Sequence, residues 1–374
     1  MTPFHVTAIV LSAGVSSRMG RFKPLLPLGR VTVAEHIVAT LRDSGIHDIR
    51  FVLGHRAHDV IPVLKKAGVS WILNEAYRTE MLNSIRVGVG RPAPDSAAFF
   101  VLPVDIPLVR PQTLRSLMDV FGKDTRRIVY PAFMGERGHP PLIPRHYAAD
   151  LMCWAGGGGL KRFLEDDHRQ FVDVPVYDEG ILMDMDTPAQ YRRVIDRYEN
   201  RRIPSLRECR AILASRFVKG HPLLEHAGLV ARTGRVIGAE LLRAGCQVDV
   251  DLIEVCGYLH DVGKGEKDHA GFGADLLAHL GFANVSEVIA SHMDLVFGEE
   301  GTVTEKEVVY LADKMVQGQS LMTLSQRLAS RLKRFAGQPE AKRAAENRIA
   351  TAMRIERVIE KIIGKKLASL LDAG

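Results

Sequence analysis

Two groups of residues in this sequence could do chemistry, and the two chemistries differ. The first is a loop at residues 11–23, in which Gly14 lies near the cations Arg18 and Lys23. Such a loop, between a strand and a helix, can bind phosphates through backbone N–H groups and positive charge. The second is a spaced set of imidazoles and carboxylates: His226, His260, Asp261, His269, His292 and Asp313. One group could build a phosphoanhydride bond, and the other could hydrolyse a phosphate ester or anhydride.

Carboxylates support the first group. Asp105 follows an apolar run at residues 99–102, and Asp184 and Asp186 lie in a second short segment further on. Buried strand ends hold carboxylates at a cost in free energy unless these bind a metal or cap a helix. Mg²⁺ prefers hard oxygen ligands and neutralises phosphate charge during nucleotidyl transfer. We therefore expect a Mg²⁺ site near the loop.

These segments resemble the MobA-like nucleotidyltransferases that activate molybdopterin. The resemblance covers residues 5–197 and rests on the segments 11–23, 105–107, 135–140 and 184–188. The first and third segments are more similar to the cytidylyltransferase branch, which implies CTP as the donor. The resemblance implies Asp105 and Asp186 as Mg²⁺ ligands, with Arg18, Lys23 and Asp105 catalytic. It implies that the nucleotide is bound by Leu11, Ala13, Gly14, Ser16, Ser17, Arg18 and Lys23.

The acceptor side departs from the family pattern at two segments. Residues 80–84 read Glu-Met-Leu-Asn-Ser where the family has a glycine and a serine run, and residues 156–159 are four glycines where it tends to have Gly-Asp. Arg137 and His139 are candidates for contact with the acceptor phosphate, and a structural role for both is equally open. The acceptor is therefore predicted only as a phosphorylated small molecule, such as molybdopterin.

The second group has the composition of a metal centre. Histidines and carboxylates on helices can converge in the core of a helical bundle. Without thiolates, such ligands favour Fe, Mn or similar ions. A pair of ions would hold a hydroxide and bind phosphate oxygens. We expect two transition-metal ions, with Fe or Mn favoured.

The order of these residues resembles the HD-domain phosphohydrolases over residues 216–325. His226, His260-Asp261 and Asp313 match the basic pattern, and His269 and His292 match the binuclear subgroup. The resemblance implies that Asp261 is catalytic as well as a ligand and that Lys264 helps to hold substrate phosphate. Asp294 is either a partner that orients His292 or an exposed loop residue. His36, His55, His58 and His221 match no motif and are predicted to be structural or exposed.

The elements that must position the first group alternate between strands and helices. Apolar runs predict strands at residues 6–11, 49–53, 70–73, 98–103, 127–131 and 171–176. Amphipathic patterns predict helices at residues 33–44, 57–66 and 111–121. This alternation is typical of a doubly wound, Rossmann-like α/β fold with a mostly parallel sheet. Such sheets bind ligands beyond the carboxyl ends of their strands.

From about residue 189 onward the patterns are helical, which predicts an all-α second half. We expect a nucleotidyltransferase domain at residues 1–198, a linker at 199–215, an HD domain at 216–335 and a basic amphipathic helix at 336–374. From residue 327 to the end there are twelve basic and five acidic residues. The surplus of seven positive charges in this segment exceeds the net charge of the whole chain, which is +6. The excess charge therefore belongs to this segment, which indicates a helix that packs on its own domain or on a second subunit.

Composition excludes several other classes of protein. Four scattered cysteines form no Cys-x-x-Cys pair, which indicates reduced thiols. No apolar run approaches the roughly 20 residues that span a bilayer, and no signal peptide is apparent. We expect a cytoplasmic enzyme that binds neither nucleic acid nor membrane. A homodimer and molybdoenzymes that receive the cofactor are open as partners.

The sequence thus predicts a bifunctional enzyme. Its first half would transfer a nucleotidyl group from an NTP, with CTP favoured, to a phosphorylated acceptor such as molybdopterin. Its second half would hydrolyse a phosphate ester or anhydride with bound metal. The alternative is a nucleotidyltransferase for a sugar phosphate or a cofactor precursor, whose HD domain is a regulatory nucleotide sensor.

Overall fold

The computed structural model describes residues 4–15, 18–90, 95–166, 168–298 and 301–371. The chain divides into two compact units, Met1–Arg201 and Arg202–Gly374. Within the described ranges, no helix is both long and apolar enough to cross a membrane.

The first unit is an α/β fold built on a mixed, mostly parallel sheet. Its strands are β1 (His5–Ser12), β2 (Pro27–Leu28), β3 (Val31–Thr32), β4 (Asp48–Leu53), β5 (Ser70–Leu73), β6 (Ser96–Pro103), β7 (Ile128–Phe133), β8 (Glu136–Arg137), β9 (Leu142–Pro144) and β10 (Phe171–Pro175). Its helices are α1 (Val33–Asp43), α2 (Ala57–Lys66), α3 (Met81–Val89), α4 (Pro111–Phe121), α5 (Tyr147–Cys153), α6 (Gly159–Leu164) and α7 (Pro188–Glu199). Two 3₁₀ helices span Lys23–Leu25 and Glu179–Leu182.

The main sheet has the order β10-β7-β9-β6-β1-β4-β5, and β8 pairs with β7. The pairs β1–β4, β1–β6, β4–β5 and β7–β10 are parallel, whereas β9 runs antiparallel to β6 and β7. β1 is buried along almost its whole length because strands flank it on both sides and helices cover the sheet. Since β1 and β6 are adjacent and parallel, the loops that follow them lie at one edge of the sheet. The predicted α/β class is confirmed.

The second unit is almost entirely helical. Its helices are α8 (Leu206–Arg216), α9 (Pro222–Arg243), α10 (Val250–Leu259), α11 (His269–His279), α12 (Ala283–Ile289), α13 (Glu305–Met315), α14 (Leu324–Arg334), α15 (Pro339–Ile363) and α16 (Leu367–Leu371). A short hairpin of β11 (Val316–Gln317) and β12 (Ser320–Leu321) joins α13 to α14. Helix α10 packs on α9 and α13, and α15 packs on α13 and α14.

Two segments differ from their predicted form. Most of the predicted linker at 199–215 is helix α8, which begins with a capping box between Ser205 and Glu208 and packs on α10. Burial of Cys209 and Ile212 makes this helix part of the second unit's core. The predicted C-terminal helix at 336–374 is two helices, because Gly364 has a φ of 68° and ends α15. α15 packs on its own unit, which is one of the two arrangements considered for the basic segment.

Candidate active sites

Lys23 joins two carboxylates that are far apart in sequence. Its Nζ donates hydrogen bonds to Asp105 Oδ2 at 2.8 Å and to Asp186 Oδ1 at 2.5 Å. Lys23 follows the β1 loop and Asp105 follows β6, so the parallel pairing of these strands brings them together. Burial would lower the pKa of Lys23, but the bonds to Asp105 and Asp186 raise it above its usual value. The lysine is therefore a buried, permanently positive group at the edge of the sheet.

Asp186 is bound from two sides. Arg18 Nη2 lies 2.6 Å from its Oδ2, while Lys23 occupies its Oδ1. The hydrogen bond from Lys23 holds the pKa of Asp186 below its usual range. The backbone supports this position, because Met185 N–H donates to the Asp105 carbonyl at 3.1 Å and Thr187 caps helix α7. Asp186 is thus a fixed, ionised carboxylate.

Asp184 lies in the same segment but has a different environment. Burial and the neighbouring carboxylates of Asp186 and Asp105 raise its pKa. Gln190 Nε2 donates to its carboxylate. This bond holds Asp184 towards helix α7, which agrees with the sequence analysis in leaving it out of the metal ligands.

A cavity of about 200 Å³ opens beside Lys23 and Asp105. It is lined by the predicted nucleotide-binding residues Leu11, Ala13 and Gly14. Among the residues that the structure describes, none lies within 4 Å of a Cβ built on Gly14, so these residues leave space for a ligand at this turn. Ser16 and Ser17, which were also predicted to bind nucleotide, lie outside the described residues.

The cavity is also lined by Ser12, Tyr77, Met81 and Ser84, which were not among the predicted nucleotide-binding residues. Met81 and Ser84 belong to the segment 80–84 that departs from the family pattern. Ser12 Oγ is buried and has no hydrogen-bond partner among the residues that the structure describes. Tyr77 packs so closely on Gly54 that a Cβ there would lie 2.4 Å from the tyrosine. Sequence order gives no signal for these contacts, because Tyr77 reaches the cavity only through the packing of the β5–α3 loop on β4.

Asp105 and Asp186 supply oxygen ligands that fit Mg²⁺. Both carboxylates are partly exposed, and one oxygen of each is directed to the same cation. Carboxylates that already converge on a positive charge satisfy the ligand chemistry of a hard divalent ion. No metal ion is part of the structure, and the fit rests on this donor set alone.

The two predicted acceptor-binding residues have different surroundings. Arg137 forms two hydrogen bonds with Asp173, at 2.6 and 3.0 Å, and its guanidinium lies 4.0 Å from the centre of the Phe171 ring. His139 is largely buried; burial lowers its pKa, and the charge of Asp105 opposes that shift. His139 N–H donates to the Ile181 carbonyl at 3.0 Å. Hence His139 lies close enough to Asp105 for their charges to interact, whereas Arg137 is bound to Asp173 on the edge strand β10.

In the second unit, the predicted metal ligands converge. His226 lies on α9, His260 and Asp261 follow α10, His269 begins α11, His292 follows α12, and Asp313 lies on α13. The turn after Asp261 needs glycine, because a Cβ on Gly263 would lie 2.1 Å from the His269 carbonyl oxygen. This close approach places His269 beside Asp261.

Asp261 lies between two groups of ligands. One group that could hold a metal is His226, His260 and Asp261, and the other is Asp261, His269 and His292. Asp261 Oδ1 is 3.4 Å from His269 Nε2 and 3.5 Å from His292 Nε2, while its Oδ2 is 3.7 Å from His260 Nε2. One carboxylate that faces both groups has the position of a bridging ligand.

Asp313 completes the first group. Its Oδ1 lies 3.4 Å from His226 Nε2 and 3.7 Å from His260 Nε2. Its Oδ2 accepts from Lys314 at 2.6 Å, and Lys314 also donates to the His292 carbonyl. Burial would raise the pKa of Asp313, but Lys314 and the histidines hold it well below its usual range. The ligand is therefore ionised.

The imidazoles are oriented for metal binding. His260 Nδ1 lies 2.8 Å from the Gly257 carbonyl, and His292 Nδ1 lies 2.6 Å from the Ile289 carbonyl. Each Nδ1 must carry the proton in such a bond, so each Nε2 presents a lone pair. In the described part of the chain, Nε2 of His260, His269 and His292 has no hydrogen-bond partner although it is buried. Buried nitrogens without partners are costly, and a metal ion would satisfy them.

The protonation states agree with this arrangement. Burial lowers the pKa of His260 to about 4, so its imidazole is neutral at pH 7. Burial opposes ionisation of Asp261, but the nearby imidazoles of His292 and His260 hold its pKa below its usual range. Lys264 Nζ lies 3.1 Å from Asp261 Oδ2. Neutral imidazoles with ionised carboxylates are the ligand forms that transition metals need.

The remaining residues singled out by sequence have structural surroundings. Asp294 pairs with Arg348 through two hydrogen bonds of 2.8 and 3.0 Å, which makes it a loop residue held by α15. His221 Nδ1 accepts from Leu223 N–H at the start of α9. His36 packs edge-on against Tyr198, and His58 is exposed.

Comparison with known proteins gives one family match in each half of the chain. Residues 8–174 match the MobA-like NTP transferase domain, and residues 223–316 match the HD domain. The molybdenum cofactor cytidylyltransferase of Escherichia coli K12 is 23% identical over 195 residues, which are 52% of this chain and 97% of that protein. Bifunctional protein GlmU of Marinobacter nauticus is 36% identical over 122 residues, which are 32% of this chain. The chain spans only 26% of the length of that GlmU.

Solved structures resemble the first half of the chain. Rv0371c of Mycobacterium tuberculosis H37Rv has 27% sequence identity and a TM-score of 0.46, with 52% of this chain and 100% of that chain covered. The nucleotidyl transferase Mth528 of Methanothermobacter thermautotroptrophicus has 23% identity and a TM-score of 0.47, with 53% and 99% covered. The two family matches fall on the two halves whose sites are described above, as the sequence resemblance implied. The chain joins a MobA-like NTP transferase domain to an HD domain on one polypeptide.

Proposed function

We propose that the chain is a bifunctional enzyme. Its first unit transfers a nucleotidyl group from an NTP, with CTP favoured, to a phosphorylated acceptor such as molybdopterin. Its second unit hydrolyses a phosphate ester or anhydride. The observation that carries the first activity is Lys23, which is buried between Asp105 and Asp186 beside a loop suited to phosphates.

In the transfer reaction, an oxygen of the acceptor phosphate attacks the α-phosphorus of the NTP. A new P–O bond forms, the bond to the β-phosphate oxygen breaks, and pyrophosphate leaves. Lys23 and Arg18 supply positive charge where negative charge grows on the phosphate oxygens. Asp105 and Asp186 would hold Mg²⁺, which neutralises the triphosphate. His139 would contact the acceptor, which is supported by the influence of the Asp105 charge on its pKa.

The preference for CTP and molybdopterin is supported by residues 11–14 and 135–140 and by the E. coli relative. The test measures pyrophosphate release from each of the four NTPs, with and without molybdenum-loaded molybdopterin. We expect acceptor-dependent release that is fastest with CTP. If neither CTP nor GTP gives such release, the molybdenum assignment fails, and sugar phosphates are the next acceptors to assay.

Hydrolysis by the second unit is supported by two ligand groups that share Asp261. Water would attack phosphorus, the P–O bond to the leaving group would break, and that group would depart with a proton. His226, His260, His269, His292, Asp261 and Asp313 would hold two transition-metal ions, with Fe or Mn favoured. Bound metal would polarise the phosphate and lower the pKa of water. Lys264, whose Nζ lies 3.1 Å from Asp261 Oδ2, would contact phosphate oxygens.

The test of this activity compares the full chain with His260→Ala. We expect about two transition-metal ions per wild-type chain and phosphate release from model esters or anhydrides. Because His260 belongs to one ligand group, His260→Ala should lose about one ion together with the phosphate release. If the metal is bound but no phosphate compound is hydrolysed, the alternative of a regulatory nucleotide sensor replaces the hydrolase.

A further inference from the structure

Helices α14 and α15 build one wall of the cavity at the metal ligands. This cavity has a volume of about 520 Å³, and His226, Asp261 and Asp313 lie in its lining. Arg327, Arg331 and Arg334 of α14 and Arg348 of α15 lie in the same lining. The match to the HD domain ends at residue 316, so these four arginines lie beyond the matched residues. We call them the arginine wall.

The four arginines differ in how their charge is compensated. Arg348 is paired with Asp294. Arg327 is 5% exposed and donates to neutral oxygens, at 2.8 Å to the Val316 carbonyl. For Arg331 and Arg334, no carboxylate lies within ion-pair distance in the described ranges of the chain.

Arg331 and Arg334 also repel each other. They are three residues apart on α14 and therefore face the same side of the helix. Burial, and next the charge of Arg334, lower the pKa of Arg331, while Asp313 opposes that shift. Arg331 is half-buried, Arg334 is exposed, and both line the cavity, so an anion bound between them would relieve their repulsion.

The cations nearest the metal ligands are already compensated. Lys264 is paired with Asp261, and Lys314 with Asp313. The unpaired positive charge of this cavity is thus concentrated on α14, away from the ligand carboxylates. A single phosphate at the metal ligands would leave the charge on α14 without a partner. A chain of phosphates could contact the metal ligands and the arginines of α14 together.

We propose that Arg331 and Arg334 bind the distal phosphates of a substrate with a linear chain of three or more phosphates, one of which lies at the metal ligands. This inference rests on the proposed hydrolase and names its substrate class. Arginine suits the role because its planar guanidinium can donate two hydrogen bonds to one phosphate. The chain could belong to inorganic polyphosphate or to a nucleotide, since Leu223, Phe335 and Ile349 add an apolar part to the lining.

The first experiment measures binding without turnover. The full chain is titrated calorimetrically without metal, with tripolyphosphate and, separately, with a nucleoside triphosphate. Every protein compared, the reference included, carries Lys23→Gln, which removes the central cation of the nucleotide site proposed in the first unit. The Arg331→Gln/Arg334→Gln double variant should bind both at least tenfold more weakly than the wild type. The control is Lys333→Gln, which removes one positive charge from an exposed position of the same helix and should bind as the wild type does. Tighter binding of the nucleotide than of tripolyphosphate would identify a nucleotide as the source of the chain.

The second experiment measures hydrolysis by the metal-loaded chain. The ratio of kcat/KM for tripolyphosphate to that for p-nitrophenyl phosphate should fall about tenfold in the double variant. Arg331→Gln and Arg334→Gln alone alter the surface less, and each should lower this ratio by part of that amount.

The two proposals fail in different ways. Equal binding by the double variant and the wild type, or no binding of either phosphate chain by the wild type, would overturn the role of the arginine wall. Binding that depends on Arg331 and Arg334 without hydrolysis of any phosphate compound would support the wall and refute the hydrolase. If phosphate compounds are hydrolysed but the ratio of kcat/KM values is the same in the double variant and the wild type, the hydrolase is supported and the role of the arginine wall is refuted.

Discussion

At the scale of single residues, the first site depends on Asp186. This carboxylate holds both Lys23 and Arg18, so Asp186→Asn would remove the charge that positions two cations and a ligand for Mg²⁺. We expect kcat for pyrophosphate release to fall about 100-fold, as when a group that stabilises transition-state charge is lost. Asp173→Asn, which removes a carboxylate paired with Arg137 in the same unit, is the matched control. A loss of less than threefold in Asp186→Asn would show that this carboxylate is not part of the reaction.

The second site depends on Asp261 in a different way. Because Asp261 belongs to both ligand groups and His226 to only one, Asp261→Asn should lose both metal ions and His226→Ala about one. Metal content per chain, measured by plasma mass spectrometry after dialysis, distinguishes these results. His279→Ala, at an exposed position on α11, should retain both ions. Equal metal loss in Asp261→Asn and His226→Ala would contradict a bridging position for Asp261.

Sequence reasoning proposes the residues of the first site but not their pairing. Lys23, Asp105 and Asp186 could each be found, because glycine-rich loops and strand-end carboxylates have clear signals. Their meeting at one Nζ depends on the pairing of β1 with β6 and on the Met185–Asp105 backbone bond, which residue spacing does not encode. The arginine wall was not predicted for a related reason. The basic segment from residue 327 indicates a helix that packs on its own domain or on a second subunit, and only the structure shows Arg331 and Arg334 in the lining of the cavity at the metal ligands.

At the scale of elements, helix α13 positions Asp313, and its capping box is open to test. Thr304 N–H donates to Glu307 Oε2 at 2.8 Å, and the Thr304 side chain caps the first turn. Thr304→Ala should lower the free energy of unfolding of the second unit by about 1 kcal/mol. Far-ultraviolet circular dichroism during urea unfolding would measure this loss. Thr304→Ser keeps the hydroxyl and should retain most of the stability, and an unchanged midpoint in Thr304→Ala would argue against the cap.

Helices α1 and α7 make the first unit sensitive to acid through His36. Burial, and next the charge of Arg201, lower the pKa of His36 to about 4, from a usual value of 6.5. The unfolded chain binds this proton below pH 6.5 and the folded chain only near pH 4. The stabilisation is therefore complete above pH 6.5 and is lost as the pH falls towards 4, by on the order of 2 kcal/mol.

Fluorescence can follow this loss in the first unit alone, because both tryptophans, Trp71 and Trp154, lie there. His36→Phe keeps an aromatic ring against Tyr198 and should reduce the dependence of the unfolding midpoint on pH between 4 and 6.5. His58→Gln, at an exposed histidine, should leave that dependence as it is. The same slope in His36→Phe and the wild type would assign the acid sensitivity to other groups.

Prediction was more reliable for elements than for their boundaries. Strands such as β1 and β6 were found because strands buried on both sides need continuous apolar residues. The sequence predicts a linker at 199–215, but Leu206–Arg216 is helix α8, in which Glu208 is charged yet buried and serves the capping box. Local polarity thus concealed a helix that packing on α10 stabilises.

At the scale of the whole molecule, we expect the two units to fold and act independently. Each has its own core, and each holds a complete set of the residues assigned to its site. The boundary at Arg201 and Arg202 lies in the turn between α7 and α8. Expressed separately, residues 1–201 should retain acceptor-dependent pyrophosphate release, and residues 202–374 should retain two metal ions per chain.

The comparison requires the two fragments, their equimolar mixture and the intact chain, each assayed for both activities. Independent units predict that each fragment keeps its own activity within about twofold of the intact chain, and that the mixture adds nothing. If phosphate ligands instead change the rate of pyrophosphate release in the intact chain, but not in fragment 1–201 or in the mixture, the HD domain regulates the transferase. The Arg331→Gln/Arg334→Gln variant of the intact chain should then abolish that response, because the regulating ligand would bind at the arginine wall.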